Sequence, residues 1–219
     1  MMKLYFVRHG KTEWNLESRY QGSGGDSELL PQSYHEMKLA GKYLKTINFK
    51  HIYSSPIKRA RITAENIQGE LVKRVPLSLD NRLEEFNLGK MEGMKFTDVE
   101  NKYPQEFNDF RNHPEKYDPS EINGETFPDL IKRMTQKIME ITENFDNEDN
   151  ILIVSHGAAL NALINSLLGV QLKDLRQRGG LANTSTTIIE TNNAGKDFKL
   201  IKWNDTSYLD RKLQESDLV

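Results

Sequence analysis

The sequence contains no cysteine. Disulfide bonds, thiolate zinc sites and a cysteine nucleophile are therefore excluded, and a reducing compartment is compatible with the composition. At 219 residues and 37% hydrophobic content, the chain is long enough for one domain, given a prior of roughly 150 residues per domain. Such a domain buries about 70% of the surface of its unfolded chain and needs no covalent cross-links. We therefore expect a single domain over 1–219.

The chain also lacks an excess of charge of either sign. Its 30 basic and 32 acidic residues give a formal net charge of −2. Nucleic-acid binding usually requires a concentrated basic surface, so we expect no nucleic-acid partner. An anionic small molecule would have to be attracted by a local cluster of cations, because the field of the whole protein does not favour it.

Long apolar runs suited to a membrane are missing as well. The four apolar residues 4–7 are too few for the core of a signal peptide. The stretch 151–170 matches a membrane span in length, but it contains Ser155, His156 and Asn161, which a bilayer tolerates poorly. We expect a buried strand followed by a helix there, in a cytoplasmic protein without a membrane partner. The sequence leaves both a monomer and a homodimer open.

Short β-rich runs alternate with segments of helical periodicity. The predicted strands are 3–7, 51–54, 75–79, 151–154, 184–189 and 198–203, and the predicted helices are 34–47, 57–71, 127–145 and 160–168. This alternation predicts an α/β layered fold with a largely parallel sheet. Ser55 and Pro56 predict the N-cap and first residue of the second helix. The segment 192–195 predicts a hairpin turn between the last two strands.

The organisation changes after Gly93, where prolines, aromatic residues and charges are interspersed. We interpret 94–126 as an inserted, partly helical lid that sets substrate specificity. Its aromatic side chains either line a pocket or anchor the lid; they include Phe96, Tyr103, Phe107 and Phe110. Anchoring is favoured, because aromatic residues at helical spacing usually belong to a core.

Two segments share one design, in which a strand runs directly into a histidine and a glycine. They are Arg8-His9-Gly10 and the later His156-Gly157. Side chains beyond the carboxyl ends of strands in an open α/β sheet converge on one crevice. Each glycine predicts an unusual backbone angle and a close approach by substrate, and a helix N-terminus after each predicts N–H groups for an anion. Two imidazoles and an arginine at such a crevice suit a phosphoryl group.

A histidine taken alone is more often a structural or surface residue than a catalytic one. We interpret His35, His51 and His113 in that way, because they lack a comparable context. The repetition of the strand–histidine–glycine pattern reverses this interpretation for His9 and His156, since no structural requirement explains it twice.

Arg59 and the pair Glu84-Glu85 are further candidates. Arg59 lies in the first turn of a predicted helix, where a cation is disfavoured by roughly 0.3–1 kcal/mol. Its presence there suggests a use, and a guanidinium matches phosphate oxygens. Glu84 and Glu85 are acid candidates, although most glutamates have no chemical role.

Six blocks of the sequence, taken together and in order, resemble the histidine phosphatase superfamily, which includes the cofactor-dependent phosphoglycerate mutases. The blocks are FVRHGKTEWN at 6–15, SSPIKRARITAE at 54–65, LEEFNLGKMEG at 83–93, Gly-Glu-Thr at 124–126, VSHG at 154–157 and Asn-Thr-Ser at 183–185. The resemblance covers nearly the whole chain. It implies a three-layer α/β/α fold with a six-stranded mixed, mostly parallel sheet in which one strand is antiparallel.

The resemblance also implies roles for individual residues. His9 is the residue that is phosphorylated, and Arg8, Arg59 and His156 clamp the phosphoryl oxygens. Glu85 is the proton donor, because it stands four positions before the glycine of its block. The remaining implied substrate contacts are Asn15, Gln21, Gly22 and Gly157.

This chemistry requires particular protonation states. The attacking nitrogen of His9 must be neutral, with the other ring N–H held by an acceptor such as a backbone carbonyl. Two arginines and a protonated His156 balance the phosphoryl charge, so we expect neither a metal nor a cofactor. Glu85 needs a raised pKa, which a nearby dianionic phosphate would supply.

The expected function is therefore metal-independent hydrolysis of small-molecule phosphomonoesters through phosphohistidine, of the histidine acid phosphatase type. A phosphoglycerate mutase is the first competing function. It should carry extra cations in the inserted segment, which offers only Lys102, Arg111 and Lys116 between 96 and 120 and no adjacent arginine pair. A non-catalytic protein that binds a phosphorylated ligand is the second competing function, and a dinuclear metal hydrolase is a distant third. Lys11, where the family commonly has an acidic residue, is a departure that could reshape the entrance.

Overall fold

The computed structural model describes residues 1–192 and 195–218. The strands are β1 (Met2–Arg8), β2 (Phe49–Ser54), β3 (Leu77–Leu79), β4 (Asn150–Ser155), β5 (Thr186–Thr191) and β6 (Phe198–Asp205). The α-helices are α1 (Glu13–Leu16), α2 (Pro31–Leu44), α3 (Lys58–Glu70), α4 (Phe96–Lys102), α5 (Pro104–Asn112), α6 (Phe127–Asn144) and α7 (Gly157–Leu167). The predicted turn at 192–195 includes residues 193 and 194, which lie outside the described residues.

Strand β1 shows why the fold has three layers. Leu4 and Phe6 pack on one face of the sheet with residues of α6 and α7. Tyr5 and Val7, which alternate with them, pack on the other face with residues of α2 and α3. A strand covered on both faces is continuously apolar, as parallel strands in α/β proteins are. The predicted α/β/α sandwich is confirmed.

The sheet has the strand order β3-β2-β4-β1-β5-β6. Strand β1 is parallel to β4, and β2 is parallel to both β3 and β4. Strand β5 runs antiparallel to its neighbours β1 and β6. The expectation of a six-stranded mixed, mostly parallel sheet with one antiparallel strand is therefore confirmed for the described residues.

The register of the central strands aligns their carboxyl ends. Arg8 of β1 lies opposite Ser155 of β4, and Ser54 of β2 lies opposite Val154. The residues that follow each strand therefore emerge side by side at one edge of the sheet, where ligands of open α/β sheets bind. This alignment brings the two strand–histidine–glycine segments together.

Several predicted boundaries were wrong. Strand β3 begins at Leu77 rather than 75, and α3 begins at Lys58 rather than at Pro56. The Ser55 hydroxyl accepts the N–H of Ile57 at 3.3 Å. Ile57 precedes the helix, so Ser55 closes a turn there and does not cap an N–H group within α3. After His9, the short helix α1 starts only at Glu13.

The segment after Gly93 forms α4 and α5 and packs on the core that also contains α6 and α7. Tyr103 and Phe107 pack against this core, and Phe110 lies within it, 5.2 Å from Phe86 between ring centroids. The prediction that these aromatic residues anchor the segment is confirmed. Among the helices described, none is long and apolar enough to cross a membrane.

Candidate active site

A cavity of about 30 Å³ opens at the carboxyl ends of β1 and β4. This is more than the roughly 10–15 Å³ that one water needs. Its lining includes predicted site residues, namely Arg8, His9, Asn15, Gln21, Glu85 and Gly157. The rest of the lining is mainly aromatic and apolar, and comprises Arg19, Tyr20, Phe86, Leu88, Phe96, Phe110 and Ala158. Phe96 and Phe110 thus line the cavity as well as anchoring their helices.

His9 is held in one tautomer. Its Nδ1 lies 2.8 Å from the carbonyl oxygen of Gly10, which can only accept, so Nδ1 carries the proton. Its Nε2 accepts a hydrogen bond from Nε of Arg59 at 3.3 Å. Burial, followed by the charges of Arg59 and Arg8, lowers the pKa of His9 well below its usual value. The imidazole is therefore neutral with its lone pair on Nε2, as nucleophilic attack requires.

Arg59 is fully buried and is fixed by the loop 21–26. Its Nη1 donates to the Gly25 carbonyl at 2.9 Å and pairs with Asp26 at 3.1 Å, and its Nη2 donates to the Gly22 carbonyl at 3.0 Å. Burial lowers the pKa of Arg59, and Asp26 opposes that effect. The anchoring loop explains how a cation is tolerated in the first turn of α3. Nothing in the sequence pattern marked Asp26 for this role.

Arg8 is held from behind by backbone carbonyls. Its Nη1 donates to the carbonyl oxygens of Leu181 and Asp217, the latter at 2.7 Å. Its Nε is buried and finds no hydrogen-bond partner among the described residues. Burial lowers the pKa of this guanidinium to about 10, which still leaves it charged at neutral pH. One side of Arg8 is thus anchored, and its Nε is a free donor beside His9.

Asp217 is the centre of a cluster of ion pairs that the sequence patterns did not predict. The buried Asp217 carboxylate pairs with Lys11 at 2.9 Å and with Arg211 at 2.6 Å, and Lys11 also donates to Ser216 at 2.6 Å. Lys11, which departs from the residue type common in the family, therefore joins the strand end of His9 to the segment that anchors Arg8. No local pattern indicates so long-range a pairing.

His156 also finds its partner outside its own segment. Its Nε2 lies 2.8 Å from the Ser55 hydroxyl, which already accepts the N–H of Ile57. The single hydroxyl proton of Ser55 is best used toward Nε2, which places the ring proton of His156 on Nδ1. Nδ1 is buried and lacks a hydrogen-bond partner in the part of the chain that is described. It is therefore a second free donor at the site.

A protonated His156 beside a bound phosphoryl group remains a prediction. Burial, followed by the charges of Arg59 and His9, lowers the pKa of His156 well below its usual value. A neutral ring with its proton on Nδ1 can nevertheless donate a hydrogen bond to an anion. The donor role implied by the resemblance needs no second ring proton.

Glu85 lies at the N-terminus of α7. Its carboxylate accepts the N–H groups of Ala158 at 3.1 Å and Ala159 at 2.8 Å, and that of Phe86 at 3.0 Å. Burial raises the pKa of Glu85 despite these bonds and the nearby Arg59. The direction matches the expectation, but its cause in this structure is burial rather than phosphate. The expectation that N–H groups at this helix start are free for the anion is wrong for Ala158 and Ala159, because Glu85 accepts both.

Arg133 holds the backbone of this acid in place. It donates to the carbonyl oxygens of Glu84 and Glu85 at 2.9 and 3.0 Å, and it pairs with Glu125 at 2.6 Å. Glu125 belongs to the Gly-Glu-Thr block, so that block positions a loop. Arg133 was missed, and its place on the amphipathic helix α6 gave it no distinguishing signal.

The remaining predicted contacts differ in position. The Asn15 amide oxygen accepts the backbone N–H of Thr12 at 3.2 Å, and the Gln21 amide oxygen accepts the Thr12 hydroxyl at 2.7 Å. Both side chains line the cavity. Gly22 instead lies behind Arg59, with its N–H donated to Glu92 at 2.8 Å. A substrate contact by Gly22 remains a prediction.

The two glycines after the histidines are required for reasons other than those predicted. Neither has the positive φ that favours glycine. A Cβ on Gly157 would lie 2.9 Å from Nε of Arg8, and one on Gly10 would collide with Met37. Close packing of the protein on itself, rather than an unusual backbone angle, explains both positions.

The histidines interpreted as structural lie elsewhere. His35 pairs with Asp210 and His51 contacts Ser78, while His113 lies near Glu115. Over residues 1–192 and 195–218 there is no group of three or more His, Cys, Asp or Glu side chains arranged to hold a metal ion.

The rings of His9 and His156 lie 5.1 Å apart between centroids, with Arg8, Arg59 and Glu85 around them. Comparison with known proteins identifies the family of this chain. The model of the histidine phosphatase superfamily (branch 1) matches residues 4–206. Phosphoserine phosphatase 1 of Hydrogenobacter thermophilus is 32% identical over 78% of this chain and 79% of its own length.

A 2,3-bisphosphoglycerate-dependent phosphoglycerate mutase of Cytophaga hutchinsonii is 31% identical over 78% of this chain and 80% of its own length. Among solved structures, YhfR of Bacillus stearothermophilus superposes with a TM-score of 0.87 at 32% identity, covering 95% of this chain and 99% of that one. The chain therefore belongs to the histidine phosphatase superfamily, branch 1.

Proposed function

We propose that this protein hydrolyses small-molecule phosphomonoesters through a phosphohistidine intermediate at His9, without a metal or cofactor. The observation that carries the proposal is the state of His9 in the cavity. Its Nδ1 proton is bound by the Gly10 carbonyl, so the Nε2 lone pair is the nucleophile. Two guanidinium groups and Glu85 surround the same point.

In the first step the phosphoryl oxygens accept hydrogen bonds from three donors. These are Nε of Arg8, the guanidinium of Arg59 and Nδ1 of His156. Nε of Arg59 releases the His9 lone pair and turns to the phosphoryl group. Nε2 of His9 then attacks phosphorus, the P–O ester bond breaks, and the proton of the Glu85 carboxyl passes to the leaving oxygen.

In the second step water attacks the phosphorus of phosphohistidine while the Glu85 carboxylate takes its proton. The P–N bond breaks, its electron pair returns to Nε2 of His9, and inorganic phosphate leaves. The fixed donors stabilise the charge on the phosphoryl oxygens in both steps without reorganising. Because Arg8 and Arg59 are anchored by backbone carbonyls, the site is organised before substrate arrives.

The substrate contacts implied by the sequence fit this proposal. Asn15, Gln21 and Gly157 would contact substrate from the cavity wall, with Gly22 supporting Arg59. We propose further that 1–219 is one domain and that 94–126 acts as the lid that selects the alcohol part of the substrate. Phe96 and Phe110, which contribute to the cavity wall, support this role.

A phosphoglycerate mutase is the second candidate, and a relative with that name matches at similar identity. Of the cations counted in the inserted segment, Lys102 and Lys116 are exposed at the surface, and Arg111 contacts the Tyr20 hydroxyl beside the cavity. Because only one of these three cations lies near the cavity, we place hydrolysis before the mutase reaction. Mutase turnover with 2,3-bisphosphoglycerate that exceeds phosphate release would reverse the order.

The proposal is tested by trapping the intermediate. Acid-sensitive, base-stable radiolabel should appear on the wild-type protein after brief mixing with a ³²P-labelled phosphomonoester. His9→Ala should abolish both the label and hydrolysis, with a loss of about 10⁴-fold or more, as expected for removal of a nucleophile. His51→Ala is the matched control, because His51 is hydrogen-bonded to Ser78 and stacked on Tyr53, and it is not among the residues that line the cavity. Full activity in folded His9→Ala protein would refute the proposal.

A further inference from the structure

The segment 207–218 follows β6 and contacts Arg8. It lies beyond residues 4–206, which the family model matches. None of its described residues is among those that line the catalytic cavity. An antiparallel bridge between Ala182 and Leu218 joins it to the loop before β5. Any influence of this segment on the reaction must therefore pass through the residues that it contacts.

Asp217 is the residue at which the segment meets the site. Its carbonyl oxygen accepts Nη1 of Arg8 at 2.7 Å and the backbone N–H of Asn183 at 3.1 Å. The carbonyl of Leu181 is the other acceptor of the same Nη1. The Arg8 guanidinium is thus held where the loop 181–183 and the segment 207–218 meet, while its buried Nε has no partner in the described part of the chain.

The Asp217 carboxylate is fully buried. It pairs with Lys11 at 2.9 Å and with Arg211 at 2.6 Å, and it accepts the backbone N–H of Gln214 at 2.6 Å. Arg211 is held in turn by Glu36 of α2 at 2.6 Å. Burial acts to raise the pKa of Asp217, but the hydrogen bonds from these donors outweigh it and lower the pKa to about 2. The carboxylate therefore stays charged, and stays bound to its donors, at any pH suited to an assay.

One residue thus binds the chain on both sides of His9. The backbone of Asp217 holds Arg8, which precedes His9, and its side chain holds Lys11, which follows His9 by two positions. Because the carbonyl and the carboxylate belong to the same residue, a displaced carboxylate shifts the carbonyl that orients Arg8. A misplacement of about 1 Å at such a group can cost about 10²-fold in rate.

We propose that Asp217 is a positioning residue of the reaction and that it acts through Arg8. Its ion pairs with Lys11 and Arg211 fix the carbonyl that orients the Arg8 guanidinium toward the phosphoryl group. This inference rests on the proposed function, because it concerns the same chemistry at His9. The observation that carries it is that the residue with the buried ion pairs is also the residue whose carbonyl anchors Arg8.

Asp217→Asn is the first variant to test, because it removes the charge and keeps the shape. The kcat for p-nitrophenyl phosphate should fall by about 10- to 100-fold, since Arg8 is no longer held in place. The Kd of inorganic phosphate, measured by calorimetry, should rise for the same reason.

Asp205→Asn is the control for a loss of stability alone. Asp205 is also buried, and its carboxylate bonds to Lys202 at 2.9 Å and to the N–H of Ser207. Despite burial, Lys202 lowers its pKa to about 2 as well. Thermal unfolding should show that both aspartate variants are destabilised, but Asp205→Asn should keep the wild-type kcat and phosphate Kd.

A double variant separates positioning from general destabilisation. If Asp217 acts through Arg8, adding Asp217→Asn to Arg8→Lys should change kcat/KM and the phosphate Kd little further, because residues that act as a unit are not additive. Lys11→Met should give a smaller loss in the same direction, since Arg211 still pairs with Asp217. Lys11→Arg should retain wild-type kinetics because it keeps the charge.

Wild-type kcat and Kd in Asp217→Asn, equal losses in Asp205→Asn, or additive losses in the double variant would overturn the inference. If Asp217→Asn does not fold, unchanged kinetics and phosphate affinity in folded Lys11→Met protein would have the same meaning. Failure of the proposed function is recognised separately. The wild type would then release no phosphate and form no phosphohistidine, while calorimetry with inorganic phosphate would still report whether Asp217 positions Arg8.

Discussion

The two ends of the candidate site hold their cations in opposite ways. At the phosphoryl end, Arg8 and Arg59 are buried and bound by carbonyl oxygens and by Asp26. At the alcohol end, Arg111 and Arg176 rest on aromatic rings and have no carboxylate partner among the described residues. The first pair is fixed by the protein itself, whereas the second pair retains free donors.

If the proposed function holds, this difference would separate the groups that serve the chemistry from those that select the substrate. Fixed donors suit a transition state that is the same for every phosphomonoester, because they need no reorganisation during reaction. Cations on aromatic faces at the alcohol end suit recognition of the part of the substrate that varies. Variants at the phosphoryl end should therefore lower kcat, and variants at the alcohol end should act mainly on KM.

The largest effect in this comparison is expected for Glu85→Gln. The amide cannot donate a proton to the leaving oxygen, so kcat for an alkyl phosphate should fall by about 10²–10⁴-fold. With p-nitrophenyl phosphate, whose leaving group needs no proton, the first step should survive. Dephosphorylation should then become limiting, and stopped-flow absorbance should show a burst of p-nitrophenol. Glu84→Gln is the matched neighbour and should behave as wild type.

The pH profile sharpens the same prediction. His9 must be neutral for attack. Its lowered pKa places the acid limb of the pH–rate profile below the usual histidine range. Glu85 must be protonated, and its raised pKa means that activity is lost as pH rises through a pKa above the usual glutamate value. The alkaline limb of kcat for an alkyl phosphate should disappear in Glu85→Gln. Its persistence would assign the proton donor to another group.

An intermediate effect is expected for Gly157→Ala. The added Cβ would lie 2.9 Å from Nε and 3.1 Å from Cζ of Arg8, so this guanidinium must shift. A misplacement of about 1 Å can cost about 10²-fold in rate, so kcat/KM should fall by up to that amount for acidic and neutral substrates alike.

Gly69→Ala is the control, because nothing lies within 4 Å of the corresponding Cβ. Gly69 lies within α3. Its replacement by alanine should stabilise the protein by roughly 0.5–1 kcal/mol without altering kinetics. Thermal unfolding and kcat/KM of both variants separate the two effects. Wild-type kinetics in Gly157→Ala would argue against the proposed contact of Arg8 with the phosphoryl group.

The smallest effect is expected for Phe96→Leu. This change removes the ring beneath the Arg111 guanidinium, a cation–π contact of roughly 0.5–1 kcal/mol at a partly exposed position. KM should rise about two- to fivefold with little change in kcat. Steady-state kinetics with 3-phosphoglycerate measure this directly. A fall in kcat with unchanged KM would contradict the expectation that variants at the alcohol end act mainly on KM.

The strand ends were the most predictable part of the site. A buried parallel strand is a continuous apolar run, so β1 and β4 were recognisable from composition alone, and each leads directly to a histidine. The parallel register then makes neighbours of His9 and His156 without any further information. Local sequence was sufficient here because the geometry of a strand is regular.

The supports of the site were not predictable in this way. Arg8 depends on the carbonyl of Asp217, and Glu85 depends on Arg133 from α6. Helix α3 begins later than predicted because the Ser55 hydroxyl bonds to a turn and to His156 and does not cap the helix. Apart from the Ser55–Ile57 turn, these pairings join residues far apart in the chain, and no periodicity encodes them.

By itself, the sequence determined the layered α/β fold and the family, and it named the candidate reacting side chains, because periodicity and short motifs are local properties. Only the tertiary structure decided the burial that lowers the pKa of His156, the burial that raises the pKa of Glu85 and the place of Arg176 beside the cavity. Those properties depend on which distant groups surround an atom and on how completely water is excluded from it.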